Sequence, residues 1–353
     1  MEQLHTDKIC LLTGGAGFIG SSAVGELVHS GWNVIVLDAL TYAGFEENLQ
    51  WIDNAGFEGN YTLVRGSITD SALVGSLFVQ YQPRAVLNFA AESHVDNSIA
   101  APSDFIHTNI IGTYTMLEAA RTYHASLNAQ AKAAFRFVQI STDEVYGSLG
   151  ETGKFHEDYP MQPNSPYSAS KAAGDHLARA WFHTYGLPTI VTNCTNNYGA
   201  RQYPEKLIPL MITRALQGDA LPVYGDGLNI RDWIHVGDHV NGVLLAMEKG
   251  KVGETYCFGG NAERTNLEVV ETICATLDGL RPKADGSSYR SQITYVKDRA
   301  GHDRRYAMDD SRAEAALGFT RAHDFESGMS ETINWYLQHS EWCFAVTSKQ
   351  KAA

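Results

Sequence analysis

The sequence predicts an α/β chain, with a doubly wound parallel sheet over most of its length and a smaller mixed α/β lobe after it. Two observations carry this prediction. Short apolar runs alternate with amphipathic stretches through the first two-thirds, a pattern that calls for right-handed crossovers and a mostly parallel sheet. From about Asn196 the alternation gives way to Gly- and Pro-punctuated loops between short helices. With 353 residues, 44% hydrophobic and 19% charged, the chain has enough apolar side chains for a substantial core in two unequal domains.

Strands are expected over 9–13, 34–38, 61–64, 85–89, 137–141 and 189–193, with amphipathic helices over 21–30, 71–81 and 106–123 among them. In such a sheet ligands bind beyond the carboxyl ends of the strands. Further helices are expected over 267–277 and 325–337, and residues 347–353 read as a polar tail.

Charge excludes one class of function. Lys and Arg number 27 against 40 Asp and Glu, a net charge of −13, and no basic block supports binding to a nucleic-acid backbone. A few placed arginines could still hold a small phosphorylated ligand. The five cysteines are odd in number, widely spaced and lack a Cys-x-x-Cys pair, so reduced core residues are expected rather than disulfides or zinc. The polar N-terminus runs directly into the first strand, and no apolar run approaches the ~20 residues of a membrane span. The expectation is a cytoplasmic enzyme without membrane contact.

After the first strand comes Thr13-Gly14-Gly15-Ala16-Gly17-Phe18-Ile19-Gly20, opening a helix. Gly14 and Gly17 would let the backbone turn tightly against a pyrophosphate, and Gly20 would allow close helix packing, with Phe18 and Ile19 at the helix N-terminus. Asp38 ends the second strand about 20 residues later, where a carboxylate would bond a ribose 2′-hydroxyl and repel a 2′-phosphate. Together with the following Ala39, Leu40 and Thr41, this Rossmann arrangement predicts NAD rather than NADP. Residues 1–195 then form the NAD-binding domain. Residues 196–346 form mainly a substrate-binding lobe, with some chain crossing back to the Rossmann sheet.

Tyr167 and Lys171 stand at i and i+4 in Pro166-Tyr-Ser-Ala-Ser-Lys, on one helical face. An ammonium there would lower the phenol pKa, so that Tyr167 could take an alcohol proton. Ser141-Thr142-Asp143-Glu144-Val145-Tyr146-Gly147 ends the fifth strand with two adjacent carboxyl groups beside a hydroxyl. Such a pair can supply both an acid and a base, the two groups that eliminating water beside a ketone requires.

With these motifs the chain resembles the extended short-chain dehydrogenase/reductase family over nearly its whole length, and the Thr-Asp-Glu stretch resembles its nucleotide-sugar 4,6-dehydratase branch. The resemblance implies a tightly bound NAD, dTDP-glucose as substrate, and a homodimer through a helix bundle that includes the Tyr167–Lys171 helix. It implies Asp143 as acid toward the C6 hydroxyl, Glu144 as base at C5, and Thr142 bonding the C4 oxygen alongside Tyr167. Two alternatives stay open: UDP-glucose, since one methyl group gives only ~10–200-fold discrimination, and an NAD-sensing regulatory protein, disfavoured because Asp143, Glu144, Tyr167 and Lys171 are all present.

The same resemblance implies cofactor contacts at Ala90, Ala91, Ser93, Thr108 and Asn197, and substrate contacts at His94, Asn196, Lys206, Leu207, Pro222, Val223, Tyr224, Arg231, Asn266, Asp298, Arg299, His302 and Tyr306. Ser67 and Ile68 stand where the family usually has Asp-Ile, which alters the adenine contact. Gly199-Ala200-Arg201-Gln202 departs from the family's substrate stretch. Arg299, Arg304 and Arg305, in an acidic chain, point to an anionic partner. No metal is expected: His94-x-Asp96 lacks a third ligand, and His235 and His239 read as a strand running into a helix start.

Overall fold

The computed structural model describes residues 8–53, 55–298 and 303–350. In chain order the strands are β1 (Ile9–Thr13), β2 (Asn33–Asp38), β3 (Asn60–Arg65), β4 (Ala85–Asn88), β5 (Arg136–Thr142), β6 (Thr189–Cys194), β7 (Asn196–Tyr198), β8 (Leu221–Tyr224), β9 (Ile230–His235), β10 (Thr255–Phe258), β11 (Glu263–Thr265) and β12 (Ile293–Val296). Seven of them make one parallel sheet in the order β10-β6-β5-β4-β1-β2-β3. The chain leaves β1 toward β2 and later returns to its other side at β4, so a crevice opens beyond the carboxyl ends of β1 and β4.

Both sheet faces are covered, which is why β1, β2 and β4 are continuous apolar runs rather than alternating ones. On one face Val34 and Val36 pack with Val24, Leu27, Val240 and Val243 from the helices Phe18–His29 and Val236–Lys249. On the other, Leu11, Ile35 and Leu37 pack with Val74, Phe78, Met116, Leu117 and Ala178 from the helices Ser71–Tyr81, Thr113–Ser126 and Pro166–Tyr185. Each Val, Leu, Ile, Phe or Met among them contributes about 1.5–3 kcal/mol by burial. Local signals fix the helix ends: Asp70 accepts from the backbone of Ala72 and Leu73, and Ser165 and Ser168 cap each other ahead of Pro166.

The smaller lobe has its own core, in which Ile212, Val269, Ile273, Leu277, Met329 and Ile333 join the helices Leu207–Gln217, Asn266–Leu280 and Phe325–Gln338. Two short sheets, β11-β9-β7 and β12-β8, edge it. β10 leaves this half of the sequence and pairs with β6 in the large sheet. No helix among the described residues is long and apolar enough to cross a membrane.

Two elements differ from the sequence expectation. The helix expected over 106–123 opens as a π-helical segment, Ile106–Gly112, before becoming α-helical at Thr113. The wider turn accompanies a buried Asn109, whose side chain bonds both backbone groups of Glu92 and the hydroxyl of Ser170, contacts of the kind that favour π-bulges at functional sites. The polar tail expected from 347 is instead helical to Gln350, within Ser340–Gln350. Apolar anchoring explains it: Val346 is buried with Phe45 and Tyr203, and the Trp342 indole donates to Asn48 at 3.0 Å.

Candidate active site

The glycine turn is built for close approach. Gly14 has φ +70°, and a Cβ there would lie 2.8 Å from the Ala90 backbone; at Gly20 it would lie 2.1 Å from the Gly14 carbonyl oxygen. Gly17 caps the helix Phe18–His29 with no side-chain bond to its first amides. Asp38 is buried at the end of β2, where its two oxygens accept from the amides of Ala16 (2.9 Å) and Leu40 (2.8 Å). Those bonds fix the carboxylate while leaving a second lone pair on each oxygen. Burial raises its pKa and the two amides oppose the rise. Leu40 takes φ 53° in the turn that continues through Ala39 and Thr41. Residues of this kind fit a dinucleotide with a free ribose hydroxyl.

Around this turn, Thr13 at the end of β1 donates to Asn88 and accepts from the amide of Ala90, tying β1 to the Ala90–Ala91 turn after β4. Ser67 bonds the Thr69 hydroxyl at 2.8 Å, and Ile68 is buried against Gly112. Thr108 lies half-buried in the π-helical segment.

The chemistry gathers at the ends of β5 and β6. Thr142 closes β5, accepts from the Glu144 amide at 3.3 Å and donates to Asp143 at 3.2 Å, so both carboxyl groups are placed by one hydroxyl. Asp143 is 2% exposed and its Oδ2 has no hydrogen-bond partner among the described residues. Burial, reinforced by the charge of Glu144 and opposed by the Thr195 hydroxyl and then by Arg231, pushes its pKa up to about 7. Glu144 is only half-buried. Two adjacent carboxyls thus occupy unlike environments, the condition for dividing acid and base roles.

Tyr167 and Lys171 are both buried on the helix Pro166–Tyr185. The expected lowering of the Tyr167 pKa is overturned in the chain by itself. Burial and the charge of Glu144 hold the phenol well above its ordinary value, while Lys171 spends a hydrogen bond on the Ile140 carbonyl at 2.7 Å and is itself lowered by burial. Behind the pair lies Asp175, a residue the sequence reading missed although it stands one turn beyond Lys171. Its Oδ2 accepts from Ser141 (2.7 Å) and Asn193 (3.2 Å), and burial raises its pKa to about 7 against the pull of those bonds and of Lys171.

The smaller lobe faces this edge. Lys206 donates to the Ser93 carbonyl at 3.3 Å, and Leu207 starts the next helix. His94 caps the helix Val95–Ala100 with Nδ1, its Nε2 lying 3.8 Å from Glu205. Asn196 and Asn197 form β7 beside β9, and Asn197 bonds the Thr195 carbonyl and the His239 ring. Pro222, Val223 and Tyr224 lie on β8 with the Tyr224 ring exposed; Asn266 opens a helix, and Asp298 sits against Gly225. Arg231 is buried, donates to the carbonyls of Ile230 and Asp303, and stacks at 4.3 Å over Tyr306, whose hydroxyl donates to Asp303.

The arginine-rich loop is corrected. Arg304 pairs with Asp226 at 3.0 Å, and Arg305 makes a two-pronged pair with Glu263 at 2.8 and 3.0 Å, so two of its cations are met by acids of the same chain. Arg299 and His302 lie outside the described residues.

A family model described as GDP-mannose 4,6 dehydratase matches residues 11–332. The chain is 57% identical over 338 residues to the dTDP-glucose 4,6-dehydratase of Xanthomonas campestris pv. campestris (strain B100), covering 95% of each sequence. Among solved structures it is similar to the dTDP-glucose 4,6-dehydratase of Bacillus anthracis in complex with NAD, with TM-score 0.84, 44% identity and coverage of 96% of this chain and 99% of that one. It is likewise similar to the Streptomyces venezuelae enzyme of that name with NAD and TYD bound, with TM-score 0.85, 42% identity and coverage of 96% and 99%.

Proposed function

We propose that this chain, which belongs to the GDP-mannose 4,6 dehydratase family, converts dTDP-glucose to dTDP-4-keto-6-deoxy-glucose with the residues at the ends of β5 and β6. It is an NAD-dependent hydro-lyase. The observation that carries the division of labour is Asp143, a buried carboxyl whose pKa near 7 leaves it a proton to give at neutral pH, beside the less buried Glu144.

NAD, when bound, would supply the acceptor for the C4 hydrogen and the donor that returns it to C6. Gly14, Gly17 and Gly20 with Asp38 would hold it, joined by Phe18, Ile19, Ala39, Leu40, Thr41, Ser67, Ile68, Ala90, Ala91, Ser93, Thr108 and Asn197. Tyr167 takes the proton of the C4 hydroxyl as the carbon loses hydride, and Thr142 bonds the resulting carbonyl oxygen. That step needs the phenolate, which burial and Glu144 disfavour in the chain by itself and the Lys171 ammonium, one turn along the helix, would favour. Glu144 then removes the C5 proton, made acidic by the ketone, and Asp143 protonates the C6 hydroxyl, which leaves as water. Glu144 gives its proton back to C5, and the only net loss is water.

For the substrate, Arg231 offers a guanidinium for the diphosphate and Tyr224 an exposed ring for the base. His94, Asn196, Lys206, Leu207, Pro222, Val223, Asn266, Asp298 and Tyr306 complete its surroundings, with Arg299 and His302 from the loop. A second copy of the chain is the expected partner, seated on the helices Thr113–Ser126 and Pro166–Tyr185. Tyr114 and Tyr185 are exposed there on either side of Trp181, next to exposed Ile111.

The test is turnover of dTDP-glucose and UDP-glucose by full-length protein, read as the 4-keto product's absorbance in base. Rapid turnover of dTDP-glucose with UDP-glucose at least tenfold slower is expected. Equal or better use of UDP-glucose would overturn the nucleotide, and turnover of neither would overturn the activity.

A further inference from the structure

Away from the reacting edge, where β9 runs into the helix Val236–Lys249, two histidines and two acids from three parts of the chain converge. Asp238 is buried, and its carboxylate accepts from the amides of Ala322 (2.8 Å) and His323 (3.2 Å) and meets the His323 ring at Nδ1, 3.1 Å away. That contact holds the ring at Nδ1 and turns Nε2 outward. Nε2 points at the carboxylate of Glu331, 3.4 Å away.

His235 supplies the third group. Its ring lies 3.9 Å from that of His323, and one ligand atom from each of His235, His323 and Glu331 lies within 4.8 Å of the others. The His235 Nδ1 accepts from the Gly237 amide at 3.3 Å, capping the helix Val236–Lys249, a bond that metal binding at that nitrogen would displace.

We propose that His235, His323 and Glu331 bind a divalent zinc-class ion, with Asp238 as the carboxylate that orients His323. Two imidazoles and one carboxylate suit Zn²⁺ rather than Mg²⁺ or Ca²⁺, which prefer all-oxygen shells. Bonds of about 2.0–2.2 Å place neighbouring ligand atoms roughly 3–3.5 Å apart, as His323 and Glu331 already are. His235 reaches the same point by a small opening of the ring pair. Glu331 is exposed, so water fills the remaining position. The ion ties the start of the helix Val236–Lys249 to the helix Phe325–Gln338, which the backbone alone does not join. Sequence spacing hides the site, because His239, the residue at helical distance from His235, turns inward to Asn197 and only folding brings the distant His323 and Glu331 alongside.

The experiment is calorimetric titration of Zn²⁺ into chelator-treated full-length protein, with the thermal midpoint measured in parallel and Mg²⁺ as control. His323→Gln and Glu331→Gln are the variants, since both side chains are partly exposed and their loss leaves the core intact. The site predicts one Zn²⁺ per chain, a midpoint raised by Zn²⁺ and unmoved by Mg²⁺, and at least tenfold weaker binding in each variant. Absence of saturable binding, or binding that either variant leaves unchanged, would overturn it.

Discussion

The carboxyl edge of the large sheet and the arginine-rich loop of the smaller lobe both concentrate charge, but they handle it in opposite ways. In the loop Arg304 and Arg305 are matched by Asp226 and Glu263. At the sheet edge Asp143 and Asp175 are buried with one oxygen each lacking a hydrogen-bond partner among the described residues, and both carboxyls sit near pKa 7. Matched charges serve structure. Buried charges left short of partners are displaced toward the pH at which proton transfer is useful, and here they stand on rigid strand and helix ends.

Breaking the reactive side of this contrast has the largest effect. Tyr167→Phe removes the first proton acceptor and is expected to slow C4 oxidation by about 10³–10⁴-fold, within the range for a positioned base, with reduced nicotinamide absorbance failing to appear on mixing. Asp143→Asn is expected to cost about 10²–10³-fold in water loss while sparing C4 oxidation, so that reduced nicotinamide accumulates. Because Asp143 acts in its protonated form, the wild-type rate of that step falls as pH rises through about 7, and the variant lacks this limb. An Asp143→Asn enzyme with unchanged product formation contradicts the assignment.

Asp175 sharpens the same contrast through stability. Its pKa is about 7 in the folded protein against 3.8 when exposed, so the native state holds the extra proton between those values and loses stability as pH rises through them. Asp175→Asn removes that loss. Relative to wild type it should gain on the order of 1–3 kcal/mol between pH 5 and 8 in denaturant unfolding, and a pH-independent difference counts against the buried charge. Arg231→Lys keeps the charge but loses the planar fork, so KM for the nucleotide sugar is expected to rise about tenfold with kcat within a few-fold. Smallest is Arg304→Ala, which breaks a half-exposed pair and should change stability by less than about 1 kcal/mol with no kinetic effect.

Most of the large domain was legible because its signals are local. Periodicity located six of the seven strands of the sheet, and the glycine turn, Asp38, Tyr167 and Lys171 each stand at a spacing with a physical meaning. β10 escaped because it enters the sheet from the second half of the chain, where the alternation has already broken down. The π-helical segment escaped because it accompanies long-range bonds of Asn109 to Glu92 and Ser170, which leave no periodic trace. Asp175 was hidden by its ordinary place on a helix, since its significance comes from Ser141 and Asn193 on neighbouring strands. The loop arginines misled for a related reason: their acids, Asp226 and Glu263, are remote in sequence. The lowered tyrosine pKa was read from the Lys171 pair alone, whereas burial and Glu144 act in the opposite direction.

The central claim is that one hydrogen is lifted from C4, held, and set down on C6 while Asp143 and Glu144 eliminate water between C5 and C6. Turnover of dTDP-glucose carrying deuterium at C4 tests it most directly. The account predicts deuterium in the C6 methyl group of the product, with solvent hydrogen entering at C5. Deuterium lost to solvent, or retained at C4, would contradict it.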